Sequence, residues 1–209
     1  MSHAGQLLSE STAIGAEDRR LTQIIRDNAG RVSRIIENVL ELSRRGARQP
    51  ERLDLGSWLN QFWVEFCATQ QISAAQLKIA LSSEDNTELE VRVDPSQLHQ
   101  VLSNLCQNAL THGRHPDHDP EAVEIRYGRL ASNGRPFVEI VDRGPGIPRE
   151  DHERIFEPFF TRAPRGTGLG LFLARELAQS NGATLLHETP PGGGSLFRIV
   201  FADPGRWEE

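Results

Sequence analysis

The sequence predicts an α+β fold, a two-layer sandwich in which helices cover one face of a mixed sheet. Over residues 53–203, some segments repeat apolar residues at helical spacing and others alternate them, without a regular βαβ order. A stretch of about 150 residues is long enough to bury its own core. The preceding residues 1–46 carry a different pattern, which predicts a separate long helix.

The first segment predicts a long, coiled-coil-like helix over residues 16–45. Between Leu21 and Leu42 the apolar positions are spaced alternately by four and three residues, with one polar position at Asn28. A helix of roughly 30 residues is a rod about 45 Å long, which cannot bury its own apolar stripe. We therefore expect it to pack with partner helices in a four-helix bundle, normally a dimer.

Capping signals and alternation place the elements of the second segment. Asp54 is predicted to cap a helix, and Asp94 followed by Pro95 predicts the start of another that runs to about His112. A later helix is predicted over 167–181, with Gly182 as its stop. Strands are predicted at 77–82, 89–93, 123–127, 138–140, 184–188 and 195–201.

The composition excludes several classes of protein. Hydrophobic residues make up 37% and charged residues 25%, which is typical of a globular domain and too apolar for a disordered one. No run approaches the roughly 18 apolar residues of a membrane span. The net charge of −6 argues against direct nucleic-acid binding. Because Lys78 is the only lysine, arginines or backbone amides would have to meet any bound phosphate.

Three polar residues mark the helix that starts at Pro95. Asn104, Asn108 and His112 are spaced by four residues, so they share one stripe of the helix beside its apolar face. Asparagine oxygens are hard ligands of the kind that Mg²⁺ accepts. The stripe therefore predicts either the wall of a cleft or an ordinary solvated helix edge.

A second motif follows a predicted strand and contains two glycines. Asp142 ends the strand, and Gly144 and Gly146 turn the chain before Ile147. A carboxylate beside closely approaching backbone can accept a hydrogen bond from an exocyclic amine such as that of adenine. The alternative is a tight surface turn, because Asp, Gly and Pro are common turn residues.

The third motif is a glycine-rich loop that leads directly into a helix. Such loops bind phosphate through free amides and the positive end of the helix dipole, although a glycine-rich helix start without a ligand is the alternative. There is no Gly-Lys-Ser/Thr sequence of a P-loop. The loop, hereafter the second glycine loop, comprises Gly166, Thr167, Gly168, Leu169, Gly170 and Leu171.

The fourth motif is an aromatic stretch over residues 156–161, followed by a short segment that carries two arginines. Phe156, Phe159 and Phe160 surround Pro158, and they fit either a plain core or a site wall. Arg162 and Arg165 could reach a phosphate or remain on the surface.

In this order, the four motifs resemble the ATP-binding domain of sensor histidine kinases, with its N box, first glycine box, F box and second glycine box. The resemblance implies the sandwich of the histidine kinase, gyrase and heat-shock ATPase type. The resemblance also implies ATP or ADP and Mg²⁺ as cofactors. Asn108 matches the Mg²⁺-ligating residue, Asn104 a residue that contacts phosphate or metal, and Asp142 the partner of the adenine amine. The implied ATP-binding set also contains His112, Gly144, Gly146, Ile147, Phe160, Arg162, Arg165 and residues 166–171.

The resemblance also implies a division of the chain. Residues 1–46 look like part of the dimerisation and phosphotransfer hairpin, 47–52 a linker, 53–203 the ATP-binding catalytic domain and 204–209 a tail. The family phosphorylates a histidine in a His-Glu-x-x-Asn-Pro-Leu box, which this sequence lacks, and His3 has no acidic neighbour to act as a base. We therefore expect a cytoplasmic piece of a longer protein that is anchored in the bacterial inner membrane.

The short lid over residues 161–165 is similar to that of the nitrogen-regulation type of kinase. This implies as partner a response regulator of the nitrogen-regulation, enhancer-binding class, and a homodimer formed through the hairpin. Two other functions stay open. One is a gyrase- or mismatch-repair-type ATPase, although those proteins usually have Glu where this chain has Asn104. The other is a non-catalytic dimer scaffold, against which the intact glycine motifs argue.

Overall fold

The computed structural model describes residues 20–26, 28–30, 32–33, 36, 49–72, 77–81, 89–113, 123–163 and 166–203, with only the backbone described for 77–81. The described parts of 20–36 are helical, as predicted, and Leu21, Ile25 and Val32 are more than half exposed, at 57%, 68% and 54%. The full length of this helix and its coiled-coil pairing stay predictions. The predictions for 1–19, 37–48 and 204–209 lie outside the described residues.

From residue 49 onward, the described residues form three α-helices, and their starts are set by side-chain caps or by glycine. Helix α1, Leu55–Gln70, begins where Asp54 accepts the Ser57 N–H at 2.8 Å. Helix α2, Pro95–His112, begins where Asp94 Oδ1 accepts the N–H groups of Ser96 and Gln97. Both caps confirm the predicted helix starts. Helix α3 spans Gly170–Ser180 and has no side-chain cap.

The strands form two sheets. The strands are β1 Glu51–Asp54, β2 Leu77–Leu81, β3 Glu90–Val93, β4 Val123–Arg129, β5 Pro136–Asp142, β6 Thr184–Glu188 and β7 Leu196–Val200. β1 pairs antiparallel with β3, and the other five make a sheet in the order β2-β4-β5-β7-β6. Among the described strands, the β2–β4 pair alone is parallel, so this sheet is mixed and mostly antiparallel.

The core lies between the helices and one face of the five-stranded sheet. Alternate residues of the strands, including Ile125, Ile140 and Ile199, are at most 1% exposed and join the same cluster as Leu59, Leu105 and other residues of the three helices. This arrangement confirms the predicted α+β class with two layers. Among the described residues, no helix combines the length and apolar character needed to cross a bilayer.

Two details differ from the expectations. The sequence analysis did not predict β1, because Glu51–Asp54 does not alternate apolar and polar residues. Helix α3 starts at Gly170, later than predicted, because Gly168 has a φ of +69° and lies outside the helical region. Its predicted stop is confirmed at Gly182, which has a φ of +69°.

Candidate functional site

A buried carboxylate lies at the end of the central strand β5. Asp142 is 6% exposed, and its Oδ1 accepts the N–H groups of Gly144 at 2.9 Å and Ser195 at 3.2 Å. Burial raises the pKa of Asp142, although the two backbone N–H bonds and nearby His112 oppose that rise. The carboxylate is thus held by backbone at the junction of two loops, and it can accept a hydrogen bond from a ligand.

Backbone segments approach Asp142 so closely that side chains do not fit between them. A Cβ on Gly113 would lie 2.6 Å from the Asp142 Cβ, and one on Gly144 would lie 2.8 Å from the Gly113 Cα. A Cβ on Gly194 would overlap the Asp142 backbone, at 2.9 Å from its carbonyl carbon. The end of α2, the first glycine motif and the loop before β7 therefore meet around this carboxylate.

The asparagine stripe of α2 faces the second glycine loop. The Nδ2 atom of Asn104 is buried and has no hydrogen-bond partner among the described residues. Its Oδ1 lies 3.9 Å from the position of a Cβ on Gly170, the first residue of α3. A buried amide without a partner is costly, so this donor is available to a ligand at the start of α3.

Helix α2 connects the two ends of the site. Asn104 of α2 lies beside the start of α3. Half-buried Asn108 follows one turn later in α2, and exposed His112 ends α2 near Asp142. Eight residues of helix span about 12 Å, which separates the two glycine motifs. The arrangement suits an elongated ligand with an amine at one end and phosphates at the other.

The second glycine loop packs directly on the aromatic stretch. The Phe159 N–H donates to the Gly168 carbonyl at 2.9 Å, and a Cβ on Gly168 would lie 2.6 Å from the Phe159 carbonyl oxygen. Thr167 Oγ1 accepts the Leu169 N–H at 3.3 Å. Helix α3 has neither a side-chain cap nor an acidic residue in its first turn. The positive end of its dipole and its first N–H groups are therefore not neutralised by a side chain where the loop enters the helix.

Of the two lid arginines, the structure describes Arg162. Arg162 contacts Asp151 at 2.5 Å and Glu150 at 3.0 Å, so it is engaged within the protein. Phe160 is partly buried against the core, and the Arg154 guanidinium lies 4.5 Å from its ring centroid. Arg165 lies outside the described residues.

The structure thus brings together most of the residues that the sequence analysis selected, and it adds three. Gly113, the Ser195 N–H and Asp151 were not predicted. A glycine directly after the helix that carries Asn104 was the available signal for Gly113. Nothing in the sequence indicated the Ser195 contact, which depends on β7 lying next to β5.

The residues present fit an adenine nucleotide with its cation. The unpartnered Asn104 amide and the uncapped start of α3 suit phosphate, and the Asp142 carboxylate suits the base. Among the described residues, no three His, Cys, Asp or Glu side chains come close enough to hold a metal ion. A Mg²⁺ site here would draw on asparagine oxygen and on phosphate oxygens.

Comparison with known proteins assigns the family. Residues 93–205, more than half of the chain, match the family described as "Histidine kinase-, DNA gyrase B-, and HSP90-like ATPase". The chain belongs to this family, which confirms the resemblance found in the four motifs.

The curated relatives that it matches include sensor kinases. The chain is 45% identical over 204 residues to the sensor protein kinase PilS of Pseudomonas aeruginosa, an alignment that covers 98% of this chain and 38% of PilS. The chain thus spans 38% of the length of PilS and 42% of that of the sensor histidine kinase ZraS of Klebsiella oxytoca, to which it is 31% identical.

Solved structures show the same fold. The catalytic domain of histidine kinase ThkA is 26% identical, with a TM-score of 0.59 over 73% of this chain and 95% of that one. Full-length ShkA in complex with AMPPNP is 23% identical, with a TM-score of 0.63 over 95% of this chain and 41% of that one, and shows the fold alone.

Proposed function

We propose that this chain is the nucleotide-binding core of a two-component sensor histidine kinase and that it binds ATP and ADP with Mg²⁺. The observation that carries the proposal is the placement of Asp142 and Asn104 at the two ends of one site, each beside a glycine motif. The AMPPNP complex of ShkA, which shares the fold, supports it.

The residue roles follow from the chemistry of each group. Asp142 would accept a hydrogen bond from the adenine amine. The backbone of Gly144 and Gly146, together with Ile147 and His112, would line the adenine base. The Asn104 Nδ2 donates to a phosphate oxygen, and the Asn108 oxygen would hold Mg²⁺. The amides of the second glycine loop, with Thr167, neutralise phosphate charge at the start of α3. When bound there, Mg²⁺ would supply further neutralisation of the phosphate charge.

We propose that the longer protein transfers the γ-phosphate of ATP to a histidine and then to an aspartate of a response regulator. The part played by this chain is to orient the nucleotide and neutralise its charge, because phosphoryl transfer is catalysed mainly by positioning and electrostatics. The exposed apolar stripe at Leu21, Ile25 and Val32 fits a homodimer formed through this helix. The proposed location of the dimer is the cytoplasmic side of a bacterial inner membrane. The short lid over residues 161–165 supports a response regulator of the nitrogen-regulation class, and we propose that the longer protein controls pilin gene transcription.

One incubation with γ-labelled Mg-ATP separates this proposal from the two alternatives. We expect saturable binding with one nucleotide per chain, no steady-state hydrolysis and no acid-labile label on the chain, which lacks the histidine box. Steady hydrolysis would support a gyrase-type ATPase. Failure to bind any nucleotide would support a non-catalytic scaffold. Acid-labile phosphohistidine on this chain would contradict the assignment of the accepting histidine to another part of the protein.

A further inference from the structure

A group of ion pairs joins the lid to the turn that follows the first glycine motif. The Arg162 Nε lies 2.5 Å from Asp151 Oδ2, and its Nη2 lies 3.0 Å from Glu150 Oε1. The two carboxylates differ in environment, since the Asp151 side chain is 3% exposed and the Glu150 side chain 77%. The lid arginine therefore reaches inward to a buried acid.

Asp151 lies in a short 3₁₀ turn that precedes the lid. It ends this turn, Arg149–Asp151, and its N–H donates to the Pro148 carbonyl at 2.9 Å. A second cation, Arg154, places its Nη1 4.0 Å from Asp151 Oδ1 and covers the Phe160 ring. Residues 160–162, hereafter the lid base, are therefore held at two points. Arg154 covers Phe160 and Asp151 pairs with Arg162, and both partners belong to the preceding segment.

Moving Arg162 onto a phosphate would leave this carboxylate without its close partner. An ionised carboxylate buried without a nearby cation or hydrogen-bond donor is strongly disfavoured. Among the described residues, the remaining cation near Asp151 is Arg154, which is farther away and also faces Glu157 at 3.8 Å. The contact of Arg162 with exposed Glu150 contributes little by comparison.

The residue before Arg162 packs against the start of the second glycine loop. Gly166, the first residue of the second glycine loop, packs so closely on Thr161 that a Cβ there would lie 3.3 Å from the Thr161 Cβ and closer still to its hydroxyl. Thr161 directly precedes Arg162. An ion pair that holds Arg162 in place therefore also holds Thr161, on which the second glycine loop packs.

We propose that Asp151 and Arg162 are positioning residues whose ion pair fixes the lid base beneath the phosphate loop, and that Arg162 is not a ligand of the terminal phosphate. The inference rests on the proposed nucleotide site and assigns Arg162 a different role from the one that family resemblance implies. A lid held in this way presents the loop amides already ordered, which reduces the entropy cost of binding.

A double-mutant cycle tests the pair. Calorimetry would give the dissociation constants of Mg-ATP and Mg-ADP for Arg162→Gln, Asp151→Asn and the double variant. We expect each single change to weaken both nucleotides equally, by about two- to tenfold as preorganisation is lost. The double variant should lose no more than the weaker-binding single variant, because the two residues act as one unit. Arg149→Gln, which removes an exposed arginine from the same turn, should leave both constants unchanged.

Two results would overturn the inference. If Arg162→Gln weakens ATP but not ADP, the guanidinium contacts the terminal phosphate. If the losses of the two single variants add, the residues act independently. Hydrogen exchange of the amides of Gly166–Gly170 without nucleotide gives a separate readout, which should be faster in Arg162→Gln. Unchanged exchange would reject the role of the ion pair, whether or not the wild-type chain binds nucleotide. Absence of nucleotide binding by the wild-type chain would reject only the proposed function.

Discussion

Asn104 and Asn181 differ in whether the side-chain amide has hydrogen-bond partners. The Nδ2 of Asn104 is buried without a partner among the described residues, whereas the amide of Asn181 donates to Gln97 Oε1 at 2.7 Å and its oxygen accepts the Asp94 N–H at 2.8 Å. The first amide costs stability in the free protein, and the second contributes to it. We interpret the cost at Asn104 as the consequence of keeping a donor available for phosphate.

Replacing Asn104 by leucine should therefore separate stability from binding. We expect Asn104→Leu to raise the free energy of unfolding by about 1 kcal/mol, because it removes an unsatisfied buried donor. The same change should weaken Mg-ATP binding at least about tenfold, since a hydrogen bond to a charged group is lost. Denaturant unfolding and calorimetry measure the two effects.

The matched control is Asn181→Leu, which removes an amide with satisfied hydrogen bonds. It should lower the free energy of unfolding by about 1–3 kcal/mol and leave the affinity of the folded protein for Mg-ATP unchanged. Asn104 would be an ordinary structural residue if both variants lost stability and Asn104→Leu still bound Mg-ATP normally.

At the scale of residues, local chemistry was sufficient to select candidate residues, and long-range contacts were missed. Asp142 and the glycines after it could be selected because carboxylate, glycine and a strand end occur together in the sequence. Asp151 could not be selected, since its burial and its contact with Arg162 depend on how the turn at 149–151 folds against the lid. A charged residue in a polar segment carries no sequence signal of burial.

Among the elements, the second glycine loop has a backbone that the aromatic stretch restricts closely at Gly168. Gly168 has a φ of +69°, and a Cβ there would meet the Phe159 backbone. Gly134, in the turn between β4 and β5, has nearly the same φ of +70° with nothing within 4 Å of a Cβ. The two glycines share one conformational demand and differ only in the space around them.

This pair permits a controlled test of the loop. Gly134→Ala should lower the free energy of unfolding by about 1 kcal/mol through strain alone and leave nucleotide affinity unchanged. Gly168→Ala adds a backbone collision, so we expect it to displace the loop from Phe159 and weaken Mg-ADP binding at least about tenfold, as misplaced amides no longer meet phosphate. Equal affinities of the two variants for Mg-ADP would show that the loop does not contact the nucleotide.

The predicted elements succeeded where a cap or a strong period marked them. Helix α2 has the predicted bounds because Asp94 and Pro95 fix its start and Gly113 accompanies its end. The start of α3 was missed because its apolar period continues into the loop, whereas the φ of Gly168 ends the helical conformation. β1 was missed because its pairing with β3 is a tertiary contact between segments about 40 residues apart in sequence.

For the whole molecule, the sheet order explains how distant motifs form one site. β5 lies between β4 and β7, so the first glycine motif at its end meets the loop that precedes β7, and Asp142 receives the Ser195 N–H. Helix α2 packs against both β5 and α3, which places its asparagine stripe between the two glycine motifs. The motifs were readable in sequence, but their convergence follows from the strand order.

The proposed site binds an adenine nucleotide with its amine on Asp142. Calorimetric titration of ADP and inosine diphosphate, whose base carries a carbonyl in place of the amine, tests this in the wild-type chain and in Asp142→Asn. The variant keeps an oxygen that can accept the Gly144 and Ser195 N–H groups, so the loops should persist. We predict that the wild type prefers ADP by about tenfold or more and that the variant loses this preference. Equal affinity of the wild type for both nucleotides, or an unchanged preference in the variant, would contradict the account.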